Sequence, residues 1–198
     1  MLFGKKDLAV ETNNQKADEK SAFLSKYAQA ENHRIEKLSE DLAKFPSENE
    51  IFFLQTIQSF NAFTFIQKIA KTYFIEELVA TTYSVSMSVV EAMMEMQRLG
   101  QVNQIRLFVS DSMMSRNPKV TDAIDSWANQ NDSVKITYGW NHSKVNLVKT
   151  LDHHFIIEGS GNWGKNACYE QYIFLNNKEV YEFRRELFSD SKAVRRIM

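Results

Sequence analysis

From His142 to Asn162 the chain reads HSKVNLVKTLDHHFIIEGSGN, and this segment carries the pattern from which the fold is predicted. Its two apolar runs, residues 145–148 and 155–157, are rich in β-branched and aromatic side chains, which is typical of β-strands. The polar segment 150–154 between them can turn. The whole stretch is therefore predicted to form one antiparallel hairpin.

Polar side chains at the two ends of this hairpin are spaced two residues apart, as His142 and Lys144 and as Ser160 and Asn162. Residues two apart on a strand share a face. With a turn centred near Asp152, residue 142 lies opposite 162 and residue 144 opposite 160. The four side chains then share one face and offer a nucleophile or base, a fixed cation and two neutral hydrogen-bonding groups. This combination suits an anionic phosphoryl group.

The spacing His-x-Lys followed by Gly-Ser-x-Asn resembles the HKD signature of the phospholipase D superfamily, and in particular its single-motif, nuclease-like members. In that signature four residues separate the Lys from an Asp, and six residues separate this Asp from the Gly. Counted forward from Lys144 this position holds Lys149, and counted back from Gly159 it holds Asp152. The hairpin is thus three residues longer than the family's standard one. Outside the motif, Tyr83-Ser84 after a predicted strand adds a looser likeness.

The resemblance implies phosphodiester chemistry that needs no metal. A histidine attacks phosphorus and forms a phosphohistidine, and the histidine of a second motif copy protonates the leaving oxygen. Because this chain holds one copy, the resemblance implies a homodimer in which His142 of each subunit meets its counterpart at a two-fold axis.

Roles for the other motif residues also follow from the resemblance. Lys144 and Asn162 would bind the phosphate oxygens, and Ser160 would position these oxygens or donate a hydrogen bond to them. A carboxylate would orient the histidine; Glu170 is the best match by position and Glu158 a weaker one. The implied catalytic set is His142, Lys144, Ser160, Asn162 and Glu170.

Strand-like and helical spacings alternate after residue 50, and the resemblance to the family extends from about residue 60 to residue 188. Strands are predicted at 51–54 (an edge strand), 77–83, 104–110 and 133–138, and helices at 59–73, 85–99, 119–129 and 178–189. This alternation is typical of βαβ units. The predicted fold class is α/β, a phospholipase D-like domain with a mixed, mostly parallel sheet flanked by helices, to which the hairpin adds antiparallel strands.

Residues 17–45 repeat apolar side chains at three- and four-residue steps, which is typical of an amphipathic helix, and Pro46 ends the pattern. The chain is thereby divided into an N-terminal helical extension (1–48), a phospholipase D-like domain (50–190) and a tail (191–198). The added helix is expected to pack on its own domain or to bind the partner subunit or another protein. A disordered arm is a third alternative.

Four further residues are candidates for binding substrate. Trp140 and Trp163 flank the motif and either line the mouth of the cleft, where they would stack on bases, or pack in the core. Arg116 and Lys119 lie in a predicted loop, residues 111–119, after a parallel strand, where α/β sheets place ligand contacts. They would bind phosphates there, or remain solvated.

Composition limits the remaining possibilities. The 198 residues carry a net charge of −1, which gives no global basic field but allows a local basic cleft. No apolar run approaches the roughly 18 residues that span a membrane, and the N-terminus resembles no signal sequence. The single cysteine, Cys168, excludes an internal disulfide and fits a reducing compartment. A cytoplasmic protein without membrane association is expected, with no metal site and no cofactor, since adjacent His153 and His154 would point to opposite faces.

The sequence thus predicts a metal-independent phosphodiesterase, above all a nuclease that hydrolyses DNA or RNA as a homodimer. The alternative is a catalytically weak or inactive phospholipase D-like module that binds nucleic acid or serves assembly.

Overall fold

The computed structural model describes Leu38 and residues 42–56, 61–164 and 169–186. Seven strands and five helices are found in this part of the chain. The strands are β1 (Ile51–Thr56), β2 (Ile75–Thr82), β3 (Val102–Ser110), β4 (Val134–Gly139), β5 (Val145–Lys149), β6 (His154–Gly159) and β7 (Glu170–Asn176). The helices are α1 (Ala62–Thr72), α2 (Met87–Arg98), α3 (Ser112–Arg116), α4 (Pro118–Asn129) and α5 (Lys178–Glu186).

The strands form one sheet in the order β1-β7-β6-β5-β2-β3-β4. The α/β class is therefore confirmed, but the prediction of a mostly parallel sheet is wrong. Only β2–β3 and β3–β4 pair in parallel among the described strands; the other neighbours are antiparallel. A parallel pair needs a crossover connection, usually helical, and helices lie between β2 and β3 and between β3 and β4. After β4 the chain reverses, so β5, β6 and β7 add antiparallel strands, and β1, which comes first in the described chain, pairs antiparallel with β7 at the end of the sheet.

The predicted hairpin is present as β5 and β6, with a register that differs by one residue. Val145 opposes Glu158 and Lys149 opposes His154. Lys144 therefore lies opposite Gly159, whose N–H donates to the Lys144 carbonyl at 3.3 Å, and not opposite Ser160. The cause is the loop, residues 150–153, which Thr150 closes through backbone and hydroxyl bonds to His153. The turn is centred between residues 151 and 152.

Each face of the sheet is covered by different helices. Buried side chains of α1, α2 and α4 form the larger core on one face, and α5 covers a smaller core on the other face through Tyr181. Leu38 and Leu42 are buried in the larger core. Of the helix predicted over residues 17–45, Leu38 is helical, but residues 42–45 are not, so the predicted helix end at residue 45 is wrong; the remaining residues lie outside the described part. No helix in the described part of the chain is both long and apolar enough to cross a bilayer.

Two smaller differences from the predicted elements bear on the site. The predicted loop 111–119 contains the short helix α3, and α4 starts one residue early because Pro118 is favourable in a helix's first turn. The segment EQYIFLN, which was assigned no structure, is strand β7. The last residues of the final predicted helix, 187–189, lie outside the described part.

Candidate active site

The motif residues lie at the edge of the sheet where the parallel strands β2, β3 and β4 end. In α/β sheets this carboxyl edge is where ligands bind. Asn141 holds the segment that carries His142 against this edge. Its buried amide donates to the carbonyls of Thr82 (3.4 Å) and Phe108 (3.1 Å), at the ends of β2 and β3. Its Oδ1 accepts from the N–H of Ser143 at 2.9 Å. The segment 141–144 is thereby fixed without belonging to a strand.

His142 and Lys144 are in direct contact. The Lys144 ammonium lies 3.1 Å from Nδ1 of His142 and donates to the His142 carbonyl at 2.7 Å. An ammonium can only donate, so Nδ1 must accept and the imidazole proton is on Nε2. Burial lowers the pKa of Lys144, against the charges of Glu170 and Tyr83, which act to raise it. His142 itself is exposed to solvent.

Ser160 and Glu170 form the second half of the site. The Ser160 hydroxyl donates to the Glu170 carboxylate and accepts from the N–H of Gln171 at 3.2 Å. The structure thus brings Glu170 together with Ser160 through a hydrogen bond. That it orients His142 stays a prediction. The weaker candidate, Glu158, forms a two-pronged ion pair with Arg184 of α5 at 2.6 and 2.9 Å, on the other face of the sheet.

Tyr83, which follows β2, links the site residues and was assigned no role from the sequence. Its N–H donates to Oδ1 of Asn162 at 3.3 Å. Its ring centroid lies 4.8 Å from that of His142 and 5.9 Å from the Lys144 ammonium. The Arg116 guanidinium lies over the same ring at 4.3 Å. An aromatic residue just past a strand at the carboxyl edge was the only sequence signal for this role.

Of the four predicted substrate-binding residues, the structure brings Arg116 to the site and buries Trp163. Trp140 is 87% exposed beside the motif. Trp163 is 0% exposed, so the prediction that it lines the cleft mouth is wrong and the alternative of core packing holds. Its indole N–H donates to buried Asn146 at 2.8 Å, which explains why the ring faces inward. Lys119 is an exposed residue in the first turn of α4.

Both candidates for the motif's Asp position lie at the far end of the hairpin. Lys149 ends β5 and pairs with Glu76 at 2.9 Å, and Asp152 is exposed in the loop. At about 3.3 Å per residue, five residues of extended chain place Lys149 roughly 16 Å from Lys144. The replacement of Asp by Lys149 therefore does not touch the residues around His142.

The described residues contain no group of three or more His, Cys, Asp or Glu side chains placed to hold a metal ion. His153 and His154 do point to opposite faces, where they contact different rings: His153 stacks on Phe155 at 5.0 Å and His154 meets Tyr181 at 5.2 Å.

Comparison with known proteins shows the fold. No family model and no curated protein matches the sequence. Among solved structures, polyphosphate kinase from Porphyromonas gingivalis superposes with a TM-score of 0.55 and 14% identity, over 74% of this chain and 27% of that one. Phosphatidylserine synthase from Haemophilus influenzae Rd KW20 gives 0.50 and 10%, over 73% and 39%. This chain thus matches less than half the length of either protein. Both belong to the phospholipase D superfamily, and the likeness shows that this chain has the phospholipase D-like fold.

Proposed function

We propose that the protein is a metal-independent phosphodiesterase, specifically a nuclease acting on DNA or RNA, with an active site shared by two subunits. The observation that carries this proposal is the contact of an exposed histidine, His142, with the Lys144 ammonium at the carboxyl edge of the sheet. Asn162, Ser160 and Glu170 lie around this pair. A nucleophile, a cation and neutral donors are the groups that phosphodiester transfer requires.

The first step transfers the phosphoryl group to His142. A substrate phosphate attracts the Lys144 ammonium away from Nδ1, so that Nδ1 can carry the imidazole proton and Nε2 keeps its lone pair. Nε2 then attacks phosphorus, the N–P bond forms and the bond to the leaving oxygen breaks. The leaving oxygen takes a proton from His142 of the partner subunit.

The second step returns the enzyme to its starting state. Water attacks the phosphohistidine, the O–P bond forms and the N–P bond breaks. The water proton passes to the partner's His142, which is then ready to protonate the next leaving group. Lys144, which contacts His142, and the amide of Asn162, which the Tyr83 N–H orients, would stabilise the phosphoryl oxygens throughout.

Two observations support nucleic acid as the substrate. Trp140, 87% exposed and two residues before His142, offers a flat surface for stacking a base. Arg116 adds a second cation to Lys144, and a polyanion gains more from two cations than a single phosphate does. The names of the two structural neighbours, a polyphosphate kinase and a phosphatidylserine synthase, support phosphate chemistry only in general terms.

The test is cleavage of bis(p-nitrophenyl) phosphate, labelled DNA and labelled RNA in EDTA. Turnover is expected for the wild type and for His154→Gln, a matched change in the same hairpin but at its other end. His142→Gln should lose at least about 100-fold, because general acid–base and nucleophilic roles contribute on that scale. Cleavage by His142→Gln at the wild-type rate would contradict the assignment, as would inhibition by EDTA that a divalent ion reverses.

The second candidate is a binding module without catalysis. The contact of Lys144 with Nδ1 of His142 favours this candidate. It holds the imidazole in the tautomer that is protonated on Nε2, and a protonated Nε2 cannot attack phosphorus. No cleavage by folded wild type, together with oligonucleotide binding that Arg116→Ala weakens, would support this candidate over the first.

A further inference from the structure

We propose that Tyr83 is a positioning residue of this site, which holds His142 in its reactive place and presents Arg116 to a second phosphate of the substrate. The inference rests on the proposed phosphodiesterase function and narrows its substrates to chains with neighbouring phosphates. Three functional side chains contact the Tyr83 ring: His142 at 4.8 Å, Arg116 at 4.3 Å and Lys144 at 5.9 Å.

The backbone around Tyr83 is tied to the core. The Trp163 N–H is shared between the Ser84 carbonyl (3.1 Å) and the Thr82 hydroxyl (3.2 Å), and the Trp163 carbonyl accepts from the N–H of Ser86 at 2.9 Å. Trp163 is fully buried. These bonds fix the backbone on both sides of Tyr83 relative to the strand ends, and the Tyr83 ring lies against His142.

The same backbone orients Asn162. Its Oδ1 accepts from the Tyr83 N–H at 3.3 Å, so the two donors of this amide are directed away from Tyr83. One residue thus sets both the imidazole plane, through its ring, and the amide of Asn162, through its backbone.

Arg116, at the end of the short helix α3, is held over the Tyr83 ring. Its Nη2 donates to the Ser112 hydroxyl at 2.9 Å, and Ser112 lies 2.8 Å from the Ser110 hydroxyl at the end of β3. A guanidinium stacked on an aromatic face keeps its planar fork oriented, and a lysine cannot reproduce that geometry. The remaining N–H donors form a site for a phosphate.

Lys144 and Arg116 therefore have different tasks. Lys144 touches His142 and serves the phosphate that reacts. Arg116 makes its contact with Tyr83 and serves a phosphate beside the reacting one. A substrate with a single phosphate would use only Lys144, whereas an oligonucleotide would use both.

Kinetics separate these two tasks. Tyr83→Leu should lower kcat about 10- to 100-fold on both bis(p-nitrophenyl) phosphate and a labelled oligonucleotide, since a displaced nucleophile costs rate on that scale. Tyr83→Phe should stay within about threefold, because the ring and the backbone carry the contacts. Arg116→Ala should raise KM for the oligonucleotide about tenfold, the loss of one charge-assisted contact, and change KM for bis(p-nitrophenyl) phosphate much less.

The matched control is Tyr73→Leu. Tyr73 is also half-buried and also contacts a histidine, His153, at 5.0 Å, but it lies at the opposite end of the sheet. The Tyr73→Leu variant should leave kcat and KM unchanged on both substrates. A loss in Tyr73→Leu equal to that in Tyr83→Leu would assign the effect to general destabilisation and overturn the proposal.

A spectroscopic test does not depend on turnover. The His142 Cε1–H resonance is assigned by its absence in His142→Gln and followed with and without inorganic phosphate. Loss of the Tyr83 ring current should move this resonance in Tyr83→Leu and leave it in place in Tyr83→Phe. An unmoved resonance in Tyr83→Leu overturns the positioning role, even in an active enzyme. A wild type that shows the ring-current shift but neither turnover nor a response to phosphate disproves the phosphodiesterase function while Tyr83 still orders His142.

Discussion

Lys144 and Lys149 lie at the two ends of β5 and allow the site to be tested with one kind of substitution. Lys144→Ala removes the ammonium that contacts His142 and should lower phosphodiester cleavage about 100-fold or more, as loss of a stabilising donor does. Lys149→Ala breaks a half-exposed pair with Glu76 and should stay within about twofold of wild-type cleavage. The measurement is kcat/KM in EDTA. Equal losses of kcat/KM in the two variants would contradict the assignment of Lys144 to the active site.

The buried bond between Trp163 and Asn146 gives a prediction for stability. Trp163→Phe removes the indole donor and leaves the Asn146 oxygen, which is fully buried, without this partner. The free energy of unfolding should fall by about 1–3 kcal/mol from this loss. Urea unfolding is the measurement, with Trp140→Phe as the exposed counterpart, for which a change below about 0.5 kcal/mol is expected. A larger loss in Trp140→Phe than in Trp163→Phe would contradict the burial of Trp163.

Residue spacing predicted that His142, Lys144, Ser160 and Asn162 share one face of a hairpin, but it did not predict how these side chains meet. His142, Lys144, Ser160 and Asn162 all lie outside regular strands, so alternation along a strand does not place them. Asn141 and Tyr83 place three of them, through contacts between segments far apart in sequence that spacing cannot show. Spacing also does not show why residue 159 is glycine: a Cβ there would come within 2.3 Å of the Gln171 carbonyl.

At the level of elements, one buried carboxylate joins β2, β3 and α5. Desolvation acts to raise the pKa of Glu77, but the hydrogen bond and charge of Arg185, the charge of Arg106 and the Tyr181 hydroxyl outweigh it and hold the pKa below its usual range. The unfolded chain therefore binds a proton on this carboxyl at higher pH than the folded chain does. The ionised carboxylate stabilises the fold, and this contribution is present above the ordinary glutamate pKa. It is lost as the pH falls through the lowered value.

Glu77→Gln should therefore destabilise the protein by about 1–2 kcal/mol at pH 7, a value reduced because both arginines are partly exposed. The difference from wild type should vanish at acidic pH, where the wild-type carboxyl is protonated. Urea unfolding across pH 3–7 measures this. Glu95→Gln, which affects an exposed pair within α2, should change little at any pH. A Glu77→Gln deficit that stays constant with pH would show that charge is not its cause.

Strand β1 presents an apolar edge. Phe53 is 79% exposed and lies opposite Ile173 of β7, which is 38% exposed. Edge strands of this kind favour pairing between molecules, and a charged residue opposes it. Phe53→Lys should lower light scattering on incubation at high concentration and change the free energy of unfolding by less than about 0.5 kcal/mol. Its matched control is Phe52→Lys, on the more buried face, which should destabilise. Scattering that Phe53→Lys leaves unaltered would contradict a role for this edge.

The βαβ part of the fold could be predicted because its strands and helices are long and their apolar periods are clear. Strand β7 could not, since EQYIFLN is a strand only by virtue of its pairing with β6 and β1. Without β7 the sheet order stays open, and the share of antiparallel pairs is underestimated. Its identity depends on tertiary pairing, which local periodicity does not contain.

On the scale of the whole molecule, the single motif copy predicts a homodimer. Light scattering should give about twice the chain mass of 23.0 kDa. Wild type and His142→Gln are mixed in varying ratio at constant total protein, and the subunits are allowed to exchange. Activity should then fall roughly as the square of the wild-type fraction, because each site needs two histidines. A strictly monomeric, fully active enzyme, or activity proportional to the wild-type fraction, would contradict a shared site.

The pairing of β1 with β7 also sets the order in which the sheet can be completed during synthesis. Asn49, just before β1, bonds to Asn176 and to Asn177, 128 residues later. At the roughly 5–20 residues per second of translation, the ribosome needs about 6–25 s to supply that partner. For this time the nascent chain carries IFFLQT without the strand that will cover one of its edges. The vulnerable period for this protein is therefore set by translation speed, and slower synthesis lengthens the need for a chaperone at its first strand.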